Sequence, residues 1–212
     1  MKFLYLHGLN LVFVVIALNI SLAACLKHEE PAIESEAQQD PILAERVARD
    51  EAFKRSADSP IPVEDRFDFQ GLKYFPINDD LRFSVRLNRY SRPKQVRLGT
   101  NTGEIRSGLQ YGYFDFIVDG QSCRLQVYRL EDVTEQGGPN LFIPFRDATS
   151  GKETYSSGRY IDLAENTSGM YELDFNRAYN PYCAFNSDFS CPLPPDENTL
   201  TVPIRAGEKW SK

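Results

Sequence analysis

The residues Gly112–Val127, GYFDFIVDGQSCRLQV, are the strongest indication of the fold, because their centre predicts a tight turn between two strands. Asp119-Gly120 is typical of a two-residue type I′ turn, which sets a single register for the strands it joins. On one side of this ribbon the facing pairs are Val118 with Gln121, Phe116 with Cys123, Phe114 with Leu125 and Gly112 with Val127. On the other side they are Asp115 with Arg124 and Tyr113 with Gln126. The first side is mainly apolar, so we predict a β-hairpin with Cys123 on its buried face.

Alternation between apolar and polar residues continues on both sides of the hairpin and predicts further strands. Phe83, Val85 and Leu87 alternate with polar residues and are expected to face a core. The other strand candidates are Gln95–Leu98, Asn140–Phe145, Gly158–Leu163, Met170–Phe175 and Leu200–Ile204. Short strands at this spacing favour an all-β fold with mainly antiparallel strands, either a β-sandwich or a partly open barrel. With 212 residues, 42% of them apolar, we expect one such domain over residues 66–212.

The N-terminus has the features of an exported precursor. Lys2 precedes the apolar run Leu11–Leu18, an order that predicts a signal peptide over residues 1–24. The run is shorter than the roughly 20 residues that span a membrane. Leu22-Ala23-Ala24-Cys25 resembles the lipobox of bacterial lipoproteins, and this resemblance implies a palmitate-type lipid anchor on Cys25. The alternative is an ordinary secreted protein that is cleaved at the same point.

Residue 26 bears on which membrane holds the anchor. Lipoprotein sorting rules associate Leu26, in place of Asp, with the outer membrane of a Gram-negative host. We therefore expect an exported protein that is lipid-anchored in the cell envelope, at the outer membrane and facing the periplasm.

Residues 25–65 are rich in Glu, Gln, Asp, Ala and Pro, and they are too polar to bury a core of their own. We interpret this segment as a lipidated tether. Within it, Asp40-Pro41 predicts the start of a short helix that ends at about Ser56. The apolar face of this helix is predicted to consist of Ile42, Leu43, Val47 and Phe53.

Three of the four cysteines, Cys123, Cys183 and Cys191, remain for the domain once Cys25 is assigned to the anchor. The cell envelope is oxidising, so a disulfide is expected there. Because the hairpin register buries Cys123, we predict that Cys183 pairs with Cys191. Two buried free thiols are the alternative, since sequence alone does not establish the geometry of a disulfide.

Several long motifs resemble those of a known family. They are Gly71–Pro76 (GLKYFP), Phe145–Tyr155 (FRDATSGKETY), Gly158–Tyr160 (GRY), Asp174–Phe185 (DFNRAYNPYCAF), Cys191–Pro195 (CPLPP) and Ile204–Glu208 (IRAGE). Over about Gly71–Glu208 the chain resembles an uncharacterised bacterial family, domain of unknown function 1684, in a lipoprotein form. The resemblance implies no established activity.

Asn176–Thr199 is predicted to be a long, mostly irregular loop, which its aromatic residues hold against the sheet. Polar residues gather in and around this loop, and we predict that eight of them lie close together. These eight residues, the polar set, are Arg146, Glu153, Arg159, Asp174, Asn176, Tyr179, Glu197 and Arg205. They either satisfy the polar groups of the loop through ion pairs and side-chain hydrogen bonds, or form a pocket for acid–base chemistry or an anionic ligand.

The composition excludes several classes of function. The two histidines, His7 and His28, lie outside residues 66–212, so the domain has no histidine-based catalytic triad and no imidazole metal site. We predict no metal site and no cofactor. A net charge of −6 with scattered basic residues also argues against nucleic-acid binding.

Two functions fit these observations, and the sequence does not decide whether the chain is an enzyme. The first is a membrane-anchored envelope lipoprotein whose non-catalytic domain binds a small ligand, a glycan or an envelope protein. The second is a histidine-free hydrolase or lyase that uses carboxylates, with its site near Asp174–Glu208. We favour the first, because it requires only the features described above.

Overall fold

The computed structural model describes residues 40–131 and 141–210. Within these ranges it has one α-helix, α1 (Pro41–Arg55), and seven strands. The strands are β1 (Arg82–Arg86), β2 (Asn88–Gly99), β3 (Ile105–Val118), β4 (Gln121–Leu130), β5 (Leu141–Phe145), β6 (Arg159–Leu163) and β7 (Met170–Asp174). Short 3-10 helices span Val63–Asp65, Asp79–Leu81, Phe175–Arg177, Tyr182–Ala184 and Asp196–Asn198.

The strands form two antiparallel sheets. Strands β2 to β6 follow one another in a five-stranded sheet, and β1 pairs with β7 in a two-stranded sheet. Both sheets contribute to one buried cluster, which contains Phe114 of β3 and Leu173 of β7. The predicted mainly antiparallel β fold is confirmed. The two sheets are consistent with a sandwich, and the described strands form no closed barrel.

The β3–β4 hairpin has the predicted register at every pair between Val118 and Gly112. Asp119 and Gly120 both have positive φ, of 49° and 78°, as a type I′ turn requires. Cys123 is buried, as predicted. The register shifts between Gln110 and Gly112, so the predicted pairing ends at a bulge.

The strands predicted near Phe83–Leu87, Gln95–Leu98, Asn140–Phe145, Gly158–Leu163 and Met170–Phe175 are confirmed as β1, β2, β5, β6 and β7, with Asn140 outside the described residues. The strand predicted over Leu200–Ile204 is wrong. Leu200, Val202 and Ile204 are buried, as their alternation required. Their backbone, however, pairs with no described strand. Leu200 N–H donates to the Arg146 carbonyl at 2.8 Å, and the Val202 carbonyl accepts the N–H of Ala148 at 3.1 Å, both in the turn after β5. A strand needs a longer partner than this turn offers.

Helix α1 begins as predicted, because the Asp40 carboxylate accepts the N–H of Ile42 at 2.9 Å and proline follows it. Ile42 and Phe53 are each 1% exposed, whereas Val47 is 59% exposed and does not belong to the buried face. Helix α1 lies in the same compact unit as the sheets, a unit that begins at Asp40, and the predicted domain boundary at residue 66 stays a prediction. The predicted signal peptide and Cys25 lie outside the described residues. No helix in the described ranges is long and apolar enough to cross a membrane.

The segment from Asn176 to Thr199 is irregular apart from short 3-10 turns, as predicted. Tyr182 and Phe189 pack with Tyr160 of β6 in a second apolar cluster. Phe185 instead contacts Phe53 of α1, with ring centroids 4.9 Å apart. The loop therefore joins the five-stranded sheet to helix α1.

Candidate functional site

Arg159 of the polar set is buried on β6 and binds the C-terminal segment of the domain. Its guanidinium donates to the Asp147 carboxylate at 3.0 Å and to the carbonyls of Ile204 and Glu208 at 2.7 and 3.2 Å. Asp147 also accepts the N–H of Ile204 at 3.1 Å. These bonds satisfy the backbone of a segment that has no strand partner, which is an architectural role.

Asp174 and Asn176 form a second buried network at the end of β7. The Asp174 carboxylate accepts both the backbone N–H and the side-chain amide of Asn176, each at 2.8 Å. Asn176 in turn bonds the backbone of Asn78, accepting its N–H and donating to its carbonyl, both at 2.9 Å. The pair thus caps a short helix and holds the segment that leads into β1.

Other members of the polar set lie toward the surface. Glu153 and Arg205 form an exposed ion pair at 2.9 Å, and this pair lowers the pKa of the Glu153 carboxyl below its ordinary value. Glu197 is exposed and accepts the Tyr128 hydroxyl at 3.0 Å. Arg146 is half-buried, and its backbone N–H and carbonyl bond the segment around Asn198.

Tyr179 connects the loop to a different region, beneath helix α1. Its hydroxyl donates to the Asp162 carboxylate of β6, and the Arg49 guanidinium lies 4.7 Å from its ring centroid. Burial raises the pKa of both Tyr179 and Asp162. The contacts of the polar set therefore divide it into several networks. That the set forms a ligand site stays a prediction.

A cavity of about 120 Å³ lies beneath helix α1. We call it the helix cavity, and its lining includes Ile42, Arg46, Arg49, Tyr74, Tyr179 and Glu208. From the polar set, Asn176 and Tyr179 also line it. The other six residues of the polar set are not part of its lining.

Four segments that are distant in sequence form the helix cavity, namely α1, Tyr74, Asn176–Tyr179 and Glu208. Ile42, Arg46, Arg49 and Phe53 follow the helical spacing of one face, so α1 turns two arginines toward the domain together with its two buried apolar residues. Tyr74 and Glu208 form an isolated antiparallel bridge on the opposite side. At Gly207, φ is +74° and an added Cβ would lie 2.3 Å from the Ala178 carbonyl oxygen, so only glycine allows the chain to approach here.

Glu208 is 1% exposed and supplies the carboxylate on this side of the helix cavity. It accepts the Nε–H of Arg49 and, at 2.8 Å, the backbone N–H of Asn180. Burial raises the pKa of Glu208 above its ordinary value, and the positive charge of Arg49 opposes this rise. Arg49 and Glu208 thus form a charge-compensated pair.

Arg46 is the less satisfied of the two arginines. Its Nη1 donates to the Phe75 carbonyl at 3.0 Å, and the guanidinium lies 4.5 Å from the Tyr74 ring centroid. Its Nε and Nη2 are shielded from solvent and have no hydrogen-bond partner among the described residues, and the same is true of the Tyr74 hydroxyl. Burial lowers the pKa of Arg46, whereas burial and then the charge of Glu208 raise the pKa of Tyr74. Both groups remain hydrogen-bond donors at neutral pH.

Cys183 and Cys191 lie side by side, and the Cys183 N–H donates to Cys191 Sγ at 3.2 Å. Both are free thiols in the structure. A side-chain hydrogen bond from the Cys183 thiol lowers the pKa of Cys191 below its ordinary value. The disulfide between them stays a prediction. Among the described residues, no group of three or more His, Cys, Asp or Glu side chains is arranged to hold a metal ion.

The polar set omitted Arg46, Arg49, Tyr74 and Glu208. The spacing between Ile42 and Phe53 was the available signal for the two arginines, because positions 46 and 49 share the face of these buried residues. Tyr74 and Glu208 were within the quoted motifs GLKYFP and IRAGE. Their pairing joins segments more than a hundred residues apart, so no local pattern indicated it.

Comparisons with known proteins extend over most of the chain. A family model described as "Protein of unknown function (DUF1684)" matches residues 67–209. An uncharacterized protein of Haloarcula marismortui, known from a solution NMR structure, is similar over 84% of this chain and 96% of its own, with 36% identity and a TM-score of 0.63. A search of curated proteins gives no match.

Proposed function

This chain belongs to the DUF1684 family of proteins of unknown function, and from that premise we propose a binding role rather than a catalytic one. The domain is an envelope lipoprotein module that takes up a small ligand in the helix cavity. It is exported, and lipid on Cys25 holds it at the membrane, facing the periplasm.

One observation carries the preference for binding, namely that the carboxylates expected to do acid–base work are engaged elsewhere. Asp174 is bonded to Asn176, Glu153 is paired with Arg205, and Glu197 accepts the hydroxyl of Tyr128. In the helix cavity Glu208 is paired with Arg49, while Arg46 and Tyr74 hold unsatisfied donors. Unsatisfied donors without a paired acid and base suit a site that holds a ligand.

The volume of the cavity favours a small ligand over a glycan. A cavity of about 150 Å³ holds a benzene ring. At about 120 Å³ the helix cavity has room for a ligand, or the end of a ligand, that is smaller than a sugar ring.

A thermal-shift screen tests the binding role. The full chain, expressed in a bacterial host and purified in detergent, is screened against small acids, amines and neutral compounds. A ligand that binds the folded state raises its melting temperature. We expect such ligands to slow hydrogen exchange in α1, with the edge strand β2 as the unaffected control. Ligands that protect only β2 would contradict the site, and the absence of any ligand would contradict the function.

The anchor rests on the sequence Leu22-Ala23-Ala24-Cys25. Several acyl chains make attachment stable, because one chain alone gives marginal, reversible binding. We expect Cys25→Ser to abolish palmitate labelling and to leave an unprocessed precursor, with Cys123→Ser as the control that keeps the label. Labelling that persists in Cys25→Ser contradicts the anchor.

A carboxylate-dependent hydrolase or lyase is the second candidate, and one observation favours it. Glu208 lines the helix cavity with a raised pKa, which suits a general acid. Glycosidase chemistry needs two carboxylates that flank the reacting bond. The other carboxylate in the lining, Glu45, is engaged with Arg177. Turnover of any compound from the screen that is lost in Glu208→Gln would establish catalysis in place of binding alone.

A further inference from the structure

We propose that the helix cavity binds a small monocarboxylate, whose two oxygens accept hydrogen bonds from Arg46 and Tyr74. This inference rests on the proposed binding function and names the class of ligand. It follows from three properties of the cavity: its charge, its unsatisfied donors and its size.

The charge of the lining favours a single negative charge. Three arginines and two glutamates line the helix cavity. Arg49 is paired with Glu208, and Arg177 is paired with Glu45 at 2.9 Å. Arg46 forms no ion pair with any described carboxylate, so it is the one arginine of the lining without a directly bonded carboxylate, and Asp40, Asp174 and Glu208 act on its charge only at longer range. A monoanion pairs with Arg46 and meets less repulsion from the buried Glu208 than a phosphate group does, because phosphate has a charge of about −1.5 to −2 at neutral pH.

The unsatisfied donors favour a planar acceptor with two oxygens. Nε and Nη2 form one edge of the guanidinium. In Arg46 this edge is buried and has no partner among the described residues, so a ligand bonds it when the side chain turns toward the cavity. Such an edge matches the two oxygens of a carboxylate. The Tyr74 ring lies beneath the guanidinium at 4.5 Å and helps to hold its plane. The Tyr74 hydroxyl is likewise without a partner and supplies a further donor.

The size of the cavity limits the rest of the ligand. A volume of about 120 Å³ is smaller than the cavity of about 150 Å³ that holds benzene. Ile42 and Ala178 provide apolar lining beside the charged groups. A carboxylate with a short aliphatic chain therefore fits both the polar and the apolar parts of the lining.

Calorimetric titration of the full chain in detergent tests the proposal. The probes are sodium acetate and sodium propionate, with acetamide and propionamide as uncharged counterparts of the same shape, and with inorganic phosphate as the anion of higher charge. We expect both carboxylates to bind, and each amide to bind at least about tenfold more weakly, because it lacks the charge that pairs with Arg46.

Substitutions connect the binding to the cavity. We expect Arg46→Gln to weaken acetate binding at least about tenfold, and Tyr74→Phe to weaken it about threefold, because the second change removes a neutral hydrogen bond. The matched control is Arg55→Gln, the same substitution on the same helix at a side chain that is 76% exposed and paired with Glu51. This control should bind acetate as the unchanged protein does. Tyr74→Phe keeps the aromatic ring and tests the proposal even if Arg46→Gln does not fold.

Several results would overturn the proposal. They are equal affinity for acetate and acetamide, tighter binding of phosphate than of acetate, equal effects of Arg46→Gln and Arg55→Gln, and no binding of either carboxylate. If neutral compounds nevertheless bind and protect α1 from exchange, the binding function stands and only the ligand class is wrong. If the screen finds no ligand at all, both proposals fail.

Discussion

Arg159 and Asp147 form an ion pair in which both side chains are 1% exposed and the Nη2–Oδ2 distance is 3.0 Å. Burial lowers the pKa of Arg159, while the charge of Asp147 opposes this effect. The pair is embedded between β6 and the C-terminal segment, where Arg159 also bonds three backbone carbonyls. The pair therefore holds in place the C-terminal segment that contains Glu208.

We expect Arg159→Met to lower the free energy of unfolding by about 3–5 kcal/mol, because it leaves Asp147 buried without its positive partner. Urea denaturation measures this loss. Arg205→Met is the matched control, since Arg205 belongs to an exposed ion pair with Glu153 and its removal should change stability little. Equal losses in the two variants would contradict a structural role specific to Arg159.

Glu208 should make stability depend on pH with a defined sign. Its pKa is raised in the folded state, so its contribution is complete below the unfolded value of about 4.3 and is lost as pH rises through the folded pKa. Relative to Glu208→Gln, the unchanged protein should therefore lose stability as pH increases above about 4.3. Urea midpoints of both proteins across this range measure the difference. A difference of opposite slope would mean that the ion pair with Arg49 outweighs burial.

The cysteines should differ in their response to alkylation. We expect Cys183 and Cys191, isolated from an oxidising compartment, to resist alkylation until a reductant is added, and Cys123 to resist until the protein unfolds. Replacing both Cys183 and Cys191 by serine should then lower stability by about 2–3 kcal/mol, the effect of closing so short a loop. Peptide mapping without reduction measures the pairing. A bridge to Cys123 would contradict the prediction, and free thiols would support the alternative.

Asn198 should matter for stability more than its place in a loop indicates. Its side chain is fully buried, accepts the Gln126 N–H at 2.7 Å, and donates to the carbonyls of Gln126 and Pro144 at 3.0 and 2.7 Å. It thus bonds the backbones of both β4 and β5. We expect Asn198→Ala to cost about 3 kcal/mol or more in unfolding free energy, because buried backbone groups lose their partners. A loss below about 1 kcal/mol in urea would show that water replaces the amide.

Residues close in sequence explain which predictions succeeded. The register of the β3–β4 hairpin depends on Asp119-Gly120 and on the alternation beside it, and the start of α1 depends on Asp40 and Pro41. The inward positions of Leu200, Val202 and Ile204 were likewise predictable from their alternation. Their lack of a strand was not, because the pairing partner of a segment is set by the rest of the chain.

The candidate site, in contrast, depends on residues that are far apart in the sequence. In the sequence, Arg159 and Glu153 were both charged residues of the same predicted set. In the structure, Arg159 is fully buried, whereas Glu153 lies in an exposed ion pair. The energetic contribution of a charged side chain depends on its burial and on its partner, and neither is set by the neighbouring residues in the sequence. The sequence indicated which segments would supply polar groups, but not which groups share a cavity.

Local sequence patterns were therefore sufficient to predict the hairpin register, the antiparallel β class and the beginning of α1, because backbone turn geometry and side-chain periodicity act over a few residues. The proposed location rests on predicted export and lipidation signals, which lie outside the described residues. The ion pair of Arg49 with Glu208, and the position of Arg46 beside Tyr74 without an ion pair, depend on the tertiary structure. Those contacts join α1 to the far end of the domain, and they form only when burial of the apolar face of α1 offsets the entropy of bringing these segments together.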